Sequence, residues 1–354
     1  MRPTVHDIAA SAGVSLATVD RVLNARPGVR AVTRAKVEAA IERLGYVRDV
    51  AAANLAKGRI YPLVFIIPEG ENPFMRGLEA EVRQAMDRVT FDRTSISVVN
   101  VPPFDAHALA AAIDAAVAGE VAGIAAVAVD APEVVDAIDR AHAEGVAFVT
   151  LVSDLASSRR DHFCGVDNVA AGRTAGSLMA RFLGDREGPV AVLAGSMRVR
   201  DHSERLSGFS AVMAEAGCGR HVLDVLEGQD DPVRARALVA RCLAEFPGLA
   251  GIYSLGAGNA GLVAALEAAG RPGLCVIAHE LTPPTRAGLE SGIVDAVLHQ
   301  DAGHEVRSAI RVLRAKADGM KPVAAQERIR IDIFIKENLP PPDPETGTAL
   351  AGEG

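Results

Sequence analysis

Polar side chains follow most of the short apolar runs in the sequence from Tyr61 onward. They stand at residues 69–74, Ser153 and Asp154, Asp167 and Asn168, residues 198–205, Asn259, His279 and Glu280, and Gln300 and Asp301. One polar loop would mean little, because surface loops are normally polar. In open α/β sheets, however, ligand-binding groups collect at the carboxyl ends of the strands. The recurrence of these groups therefore predicts a small-molecule site.

A second candidate chemistry is carried by the run GAGNAG at 256–261. It has the G-x-G-x-x-G spacing of a dinucleotide-binding turn, it follows the apolar run GIYSL, and Glu280 comes roughly 20 residues later. An NAD-dependent oxidoreductase is therefore an alternative function. Against it, the motif lies late in the chain, whereas such a fingerprint normally opens a domain that continues through several strands. No G-x-S-x-G, H-E-x-x-H or P-loop motif occurs. We expect a protein that is not an enzyme and that needs no cofactor or metal.

From Tyr61 onward, short apolar runs alternate with longer amphipathic stretches, and these segments must form the elements that position the polar groups. The apolar runs are LVFIIP, SISVVNVP, GIAAVAV, AFVTLV, HFCGV, PVAVLAG, GIYSLG, CVIAH and AVLHQ. Strands that are buried on both faces and joined by crossover helices form parallel, doubly wound sheets. A segment of about 280 residues is long enough for two such lobes, with a ligand between them.

The N-terminal residues predict a different element, a small helical unit. In VHDIAASAGVSLATVDRVLN at 5–24, apolar residues recur at helical spacing on both sides of Gly13. Gly13 can supply the positive φ of a tight turn, and Ser15 is a good N-cap for a second helix. A third helix is expected to begin with Thr33 as its cap and to end at Gly45. The spacing fits a helix-turn-helix motif as well as any other three-helix bundle.

Charge separates the two parts of the chain. The net charge is −8, yet residues 1–60 hold ten Lys or Arg against five Asp or Glu. A small basic module joined to a large acidic one fits attraction to phosphate in the first module and a different task in the second.

Three segments together resemble the DNA-binding headpiece of the lactose/galactose repressor (LacI/GalR) family. They are TVHDIAASAGVSLATVDRVLN, VTRAKVEAAIERLGY and AANLAKG. The resemblance implies a homodimer on double-stranded operator DNA, with the second helix in the major groove. By position, the implied DNA contacts are Thr4, Ser15, Leu16, Ala17, Thr18, Arg21, Asn24, Arg30 and Leu55. Asp20 departs from the family, which usually has Ser there, so it either orients Arg21 or accepts from a cytosine amino group.

The segment RDVAAANLAK at 48–57 is too short to be stable as an isolated helix. The resemblance implies a hinge helix that folds on DNA, with Leu55 wedged into the minor groove. A plain linker is the alternative. We therefore predict a headpiece at 1–47, a hinge at 48–59, an effector domain at 60–339 and a disordered, Pro/Gly-rich tail at 340–354.

The larger part resembles the periplasmic sugar-binding-protein fold that serves as effector domain in the same family. The resemblance implies a sugar or polyol as ligand, with its principal contacts at Asn72 and Phe74 of the NPF run, Arg205, Glu280 and Gln300. Asn would bond a hydroxyl, Phe would stack on the ring, and Glu would accept from two hydroxyls. Secondary candidates are Ser153, Asp154, Asp167, His202, Asn259 and His279. Met75 replaces a usual second aromatic residue. An architectural DNA binder without ligand sensing is a further alternative.

The cysteine spacing and the lack of targeting signals indicate the cellular compartment. Cys164, Cys218, Cys242 and Cys275 are widely spaced and form no C-x-x-C pair, which argues against a zinc knuckle or a disulfide framework. No signal-peptide pattern follows Met1, and the apolar runs are too short for a bilayer span. We expect a cytoplasmic protein.

Overall fold

The chain divides into two units, Met1–Arg59 and Ile60–Gly354, and the described residues of the first unit contain three helices. The structure is a computed structural model that describes residues 3–24, 26–46, 60–88, 93–215, 221–271 and 273–341. The helices of the first unit are α1 (Val5–Ala12), α2 (Leu16–Leu23) and α3 (Ala31–Leu44). The hinge segment and Leu55 lie outside the described residues, as does the tail beyond residue 341.

Local signals set the helix ends in this unit. Thr4 and Asp7 form a reciprocal capping box at the start of α1, and Gly13 ends α1 in the left-handed conformation at φ 64°. Ser15 caps α2 by accepting a hydrogen bond from the backbone N–H of Thr18. Ile8 and Val19 lie fully buried in the core that the three helices enclose.

The start of α3 differs from the sequence prediction. The helix begins at Ala31 with Arg30 as its N-cap residue, and Arg30 makes no side-chain cap hydrogen bond. The predicted Thr33 cap is wrong because the helical ladder already starts at the Arg30 carbonyl, which accepts from the Arg34 N–H at 3.0 Å. Gly45 ends the helix at φ 60°, as predicted.

The second unit contains two lobes, each built on one sheet. The N-terminal lobe has a parallel sheet in the order β2-β1-β3-β4-β5. Its strands are β1 (Tyr61–Pro68), β2 (Thr94–Val101), β3 (Gly123–Val127), β4 (Ala147–Leu151) and β5 (His162–Cys164). Its helices are α4 (Pro73–Arg88), α5 (Ala106–Ala118), α6 (Pro132–Ala143) and α12 (Ala302–Ala317).

The C-terminal lobe has a six-stranded sheet in the order β11-β10-β9-β8-β6-β7. Its strands are β6 (Val190–Ala194), β7 (Leu226–Glu227), β8 (Gly251–Ser254), β9 (Cys275–His279), β10 (Ala296–His299) and β11 (Asp332–Phe334). Its helices are α7 (Asn168–Leu183), α8 (Arg200–Glu215), α9 (Pro232–Glu245), α10 (Asn259–Ala269) and α11 (Pro283–Ser291). All pairings are parallel except that of the edge strand β11, which runs antiparallel to β10.

Helices cover both faces of each sheet, which explains the uninterrupted apolar runs in the sequence. In β1, Leu63, Phe65 and Ile67 pack against α4 and α12 on one side, while Val64 and Ile66 face α5 and α6 on the other. The chain crosses between the lobes three times: from β5 to α7, from β10 to α12, and from α12 to β11. These crossings hold together the strand ends that the sequence marks as polar.

The crossing of α7 and α8 depends on two glycines. A Cβ atom at Gly172 would lie 1.9 Å from the carbonyl oxygen of Arg205, and one at Gly208 would lie 2.1 Å from that of Val169. No other residue permits so close an approach of two helix backbones. The glycines therefore set the position of Arg205 on α8.

We expect Gly172→Ala to destabilise the second unit by about 1–3 kcal/mol or more, because the added methyl group overlaps a backbone atom that cannot move alone. Gly77→Ala in α4 is a matched control, since the same methyl group would meet no atom within 4 Å. The control should gain up to about 1 kcal/mol from helix propensity. Urea unfolding of both variants measures the two effects, and equal stability of the two would contradict the packing argument.

Candidate functional site

The exposed face of α2 carries the residues predicted to read DNA bases. Leu16, Ala17 and Arg21 are exposed to solvent, whereas Val19 and Val22 of the same helix are buried in the core. Leu16 is 42% exposed. The face therefore combines one cationic fork with apolar groups, the combination that contacts guanine edges and thymine methyl groups in a major groove.

The residues predicted to contact phosphates or neighbouring bases lie at or near helix ends. Thr4 and Ser15 are N-caps, Thr18 lies 2.9 Å from the Ser15 hydroxyl, Asn24 ends α2, and Arg30 precedes α3. Helix N-termini with free donors are suited to anions.

Asp20 contacts residues other than Arg21, which one of the two alternatives from the sequence made its partner; the contact with a cytosine stays a prediction. It accepts a hydrogen bond from Asn24 Nδ2 at 2.7 Å and pairs with Arg26 at 3.4 Å. The carboxylate is thereby tied to the C-terminal end of α2. No contact with Arg21 is recorded among the described residues.

The second unit encloses a cavity of about 60 Å³ between its two lobes. One water requires roughly 10–15 Å³ on such a measure, so the cavity suits a small molecule. Of the predicted effector residues, it is lined by Asn72, Phe74, Ser153, His202, Arg205, Glu280 and Gln300. Each of them follows the carboxyl end of a strand, in the position expected for ligand-binding groups.

Four buried polar atoms of cavity residues have no hydrogen-bond partner within the described protein. They are Asp201 Oδ1, Arg205 Nη2, Asp230 Oδ1 and Gln300 Oε1. Buried polar groups are nearly always paired, since an unpaired one costs about 1–3 kcal/mol. Four of them around a single cavity indicate a binding site for a polar guest.

Arg205 and Glu280 form the centre of this site. The Arg205 side chain, 2% exposed, donates to Asn168 Oδ1 at 2.8 Å and to the Leu255 carbonyl at 2.6 Å. Its Nη2 lies 3.6 Å from Glu280 Oε1. Glu280 also accepts from Gln300 Nε2 at 3.0 Å. These bonds hold the guanidinium and the carboxylate in fixed orientations before any ligand arrives.

Histidine charges in the site differ because their surroundings differ. Burial, together with the charge of Arg205, holds the pKa of His279 well below its usual value, so its ring is neutral, and its Nε2 lies 2.7 Å from the Tyr253 hydroxyl. Burial also opposes the charge of His299, but the hydrogen bond and negative charge of Glu280 raise the pKa of His299 overall. The neighbouring Glu280 carboxylate therefore favours the charged form of His299.

Four non-glycine residues of the cavity lining have positive φ: Phe104, Val152, Asp230 and Glu280. Val152 and Glu280 follow strands β4 and β9 with φ of 62° and 67°. A β-branched residue such as valine rarely adopts positive φ, and strained residues of this kind cluster at ligand sites.

Four predicted effector residues, Asp154, Asp167, Asn259 and His279, lie away from the cavity lining, and each has structural contacts. Asp154 pairs with Arg160, and Asp167 is the N-cap of α7. Asn259 accepts from the Ser254 hydroxyl and donates to the His279 carbonyl, at 2.6 and 2.9 Å.

Several cavity residues were not singled out from the sequence. Asp201 and Val199 lie within the polar stretch at 198–205, while Phe104 follows β2 in the run VPPF. Asp230 follows β7, a strand of only two residues that no apolar run marks. The strand-end argument would have found Phe104, whereas Asp230 had no comparable signal.

The glycines of GAGNAG allow close helix packing and leave space beside Arg205 in the cavity. A Cβ at Gly261 would lie 2.1 Å from the Pro232 carbonyl oxygen of the adjoining helix, and one at Gly256 would lie 3.0 Å from Arg205 Nη1. Gly258 has φ 74° and precedes α10. Close helix packing and room for Arg205 thus account for the motif.

Across the described ranges, no helix combines the length and the apolar character that a membrane span requires.

A helix-turn-helix unit followed by a two-lobed α/β domain with a central cleft defines a ligand-binding regulator class. Residues 63–321 match the model of the periplasmic binding protein domain, and residues 4–49 match that of the bacterial regulatory proteins of the lacI family. The chain belongs to the lacI family of regulators with a periplasmic-binding-protein domain, as its headpiece sequence predicted.

Curated relatives are named as transcriptional regulators. The HTH-type transcriptional regulator MalR of Streptomyces coelicolor is 35% identical over 173 residues, which are 48% of each chain. Catabolite control protein A of Priestia megaterium is 43% identical over 83 residues, 22% of this chain and 25% of that protein. The chain therefore spans about half the length, or less, of these relatives. Their names speak against the oxidoreductase alternative.

Solved structures share the fold of the second unit. GanP, a glucose-galactose binding protein from Geobacillus stearothermophilus, is 20% identical with a TM-score of 0.71, covering 80% of this chain and 99% of GanP. A solute binding protein of an ABC transporter from Burkholderia graminis, in complex with D-arabinose, is 22% identical with a TM-score of 0.73, covering 79% and 97%. At these identities the likeness establishes the fold alone.

Proposed function

We propose that this protein is a repressor that binds operator DNA through its first unit and releases it when a sugar or polyol fills the cleft of its second unit. The four unpartnered buried polar atoms around one cavity carry the proposal. A regulator without ligand sensing would have no reason to keep such atoms buried, because apolar residues in their place would be more stable.

The chemistry of the cavity fits a hydroxyl-rich guest. Carboxylate, amide and guanidinium groups can accept from or donate to hydroxyls, and the Phe74 ring supplies an apolar surface on which a sugar ring can stack. The proteins of similar fold that bind glucose, galactose or arabinose support this class of ligand.

The DNA side of the proposal follows from the exposed face of α2 and from family membership. Arg21 offers a bidentate contact to guanine, and Leu16 and Ala17 offer apolar contacts. Two copies of the headpiece in a homodimer would read two half-sites of a pseudo-palindromic operator. In each half-site, we propose that the headpiece also contacts the DNA backbone or neighbouring bases through Thr4, Ser15, Thr18, Asn24 and Arg30.

Ligand binding would act on DNA affinity through a difference in free energy between two states of the dimer. A coupling of about 1–3 kcal/mol changes DNA affinity about 5- to 150-fold. Filling the cleft changes the contacts between the lobes, which are joined by three chain crossings. Release of DNA is the expected sign of the effect.

In a test of this function, the full chain selects its preferred duplex from a random pool, and fluorescence anisotropy then measures affinity at several salt concentrations. We expect a palindromic site, strong salt dependence, and a loss of about 1–3 kcal/mol in Arg21→Ala. Arg181→Ala is the matched control, since Arg181 is an exposed arginine of the second unit. A sugar and polyol panel should weaken binding to the selected site.

The outcomes separate the alternatives. Salt-sensitive, site-specific binding that no panel compound alters would favour an architectural DNA binder. Absence of any preferred duplex would contradict the DNA-binding proposal itself.

A further inference from the structure

The cavity contains more negative than positive side chains. Three carboxylates line it, Asp201, Asp230 and Glu280, together with a single guanidinium, that of Arg205. A cavity that binds neutral hydroxyls needs acceptors, but buried negative charges are unfavourable unless each has a partner. The hydrogen-bond and ion-pair partners of each carboxylate therefore indicate which chemical class of ligand the cavity can bind.

Glu280 is fully paired within the protein. Its Oε1 accepts from Gln300 Nε2, and its Oε2 accepts from the Gln300 backbone N–H at 3.3 Å and lies 3.2 Å from His299 Nδ1. Arg205 Nη2 lies 3.6 Å from the same carboxylate. The one guanidinium of the cavity is thus paired with Glu280 and does not neutralise the other two carboxylates.

Asp201 and Asp230 are paired less completely. Asp201 is 6% exposed, its Oδ1 has no hydrogen-bond partner, and its Oδ2 lies 3.8 Å from Nε2 of the His202 imidazole. The other ring nitrogen of His202 lies 2.9 Å from the Ser196 carbonyl oxygen. Asp230 Oδ1 is also buried without a partner.

The surroundings of Asp230 disfavour its negative charge. Burial raises the pKa of the Asp230 carboxyl and the charge of Asp201 adds to the rise, although His202 and a hydrogen bond from Asn72 act in the opposite direction. Two neighbouring carboxylates thus share one imidazole. A positively charged group on a bound ligand would stabilise the negative charges of both carboxylates.

The unpartnered atoms point to the same kind of guest. Three of the four are acceptors, on Asp201, Asp230 and Gln300, and one is a donor, on Arg205. A hydroxyl brings one donor and no charge, whereas a protonated amine brings three donors and a positive charge. The two unpartnered acceptors on Asp201 and Asp230 belong to carboxyl groups, and they match an ammonium group better than a hydroxyl.

We propose that Asp201 and Asp230 bind a protonated amino group, so that the effector is an amino sugar or an aminocyclitol. The inference rests on the proposed function and narrows its ligand class. The ammonium group lies between the two aspartates, while the Arg205, Glu280 and Gln300 side of the cavity takes the hydroxyls.

Isothermal titration of the full chain at pH 7 tests the inference with D-glucosamine, D-galactosamine, D-mannosamine and streptamine. Each hexosamine is compared with its parent hexose and its N-acetyl derivative, and streptamine is compared with myo-inositol. At least one amine should bind tenfold or more tightly than its neutral counterpart. N-acetylation should remove the advantage, because the acetamide carries no charge.

Asp201→Asn and Asp230→Asn keep the shape of each side chain and remove its charge. Both should lose the preference for amines while the thermal unfolding transition of the chain stays cooperative. Asp224→Asn is the control, since Asp224 is an exposed aspartate of the same lobe, and it should retain the full preference.

The failures of this inference and of the proposed function are distinct. Equal or tighter binding of the neutral sugars would overturn the amine inference and leave the proposed function standing. A preference for amines that survives both aspartate substitutions would overturn the assignment to these residues. If no compound of either set binds, the proposed sugar or polyol function itself is contradicted.

Discussion

Replacing Arg205 by alanine should abolish the thermal stabilisation that an effector confers on the second unit. Arg205 is buried and fixed by Asn168 and the Leu255 carbonyl, and its Nη2, which lies 3.6 Å from Glu280 Oε1, has no hydrogen-bond partner in the described protein and can bond a guest in the cavity. Truncating one member of a buried, hydrogen-bonded charge pair typically removes about 2–5 kcal/mol of binding free energy. Thermal unfolding with and without the panel compound that most stabilises the wild type measures this loss.

The substitution also leaves Glu280 without its guanidinium, so the variant is expected to be less stable even without ligand. Arg160→Ala is a control for that effect, because Arg160 forms a partly buried ion pair with Asp154 outside the cavity lining. It should lower the unliganded Tm but keep the ligand-induced shift. An unchanged shift in Arg205→Ala would show that the cavity is not the effector site.

Replacing Glu305 by glutamine should stabilise the protein increasingly as the pH rises above the usual glutamate range. Glu305 lies in the first turn of α12, it is fully buried, and neither of its side-chain oxygens has a partner within the described protein. Burial, reinforced by the charge of Glu280, raises the pKa of Glu305 well above its usual value. The folded protein therefore keeps a proton on Glu305 that the unfolded chain loses.

The sign follows from this difference in bound protons. A carboxyl whose pKa is raised by folding contributes its full stability below the unfolded pKa and loses it as the pH rises through the folded pKa. Over that window the wild type should lose about 1.4 kcal/mol per pH unit relative to Glu305→Gln, which carries no titrating group.

Urea unfolding of both proteins between pH 5 and pH 8 measures the slope, at roughly one-unit steps. Glu267→Gln is the control, because Glu267 is exposed on α10 and should show no such trend. The slope, and not the stability at any one pH, is the decisive quantity, since a buried amide also lacks partners at this position. A difference independent of pH would mean that Glu305 is ionised in the folded protein.

Short-range signals account for the parts of the fold that the sequence predicted. The Thr4 and Ser15 caps and the Gly13 and Gly45 stops act within a few residues, so they can be recognised without tertiary structure. The nine apolar runs correspond to nine strands. Most of these strands are apolar throughout because helices cover both faces of the sheet, whereas the edge strand β2 alternates buried and exposed residues. The strands β7 and β11, which are short and partly exposed edge strands, lack that signal.

Short-range signals do not determine which residues line the effector site. Ser153 and Asp154 are adjacent and both polar, yet Ser153 lines the cavity while Arg160, six residues after Asp154, holds Asp154 away from it. Asp201 and Asp230 were not singled out, because their meeting depends on how α8 and the loop after β7 approach each other. Only the folded chain decides which strand-end groups face the cavity.

The sequence by itself determined the family, the two-part organisation and the sheet-and-helix order, because caps, glycines and apolar periodicity act locally. The tertiary structure decided which polar atoms converge without partners on a single cavity and which carboxylates lack a cation. Those properties arise from contacts between residues as far apart in the chain as Arg205 and Glu280, which local sequence patterns do not specify.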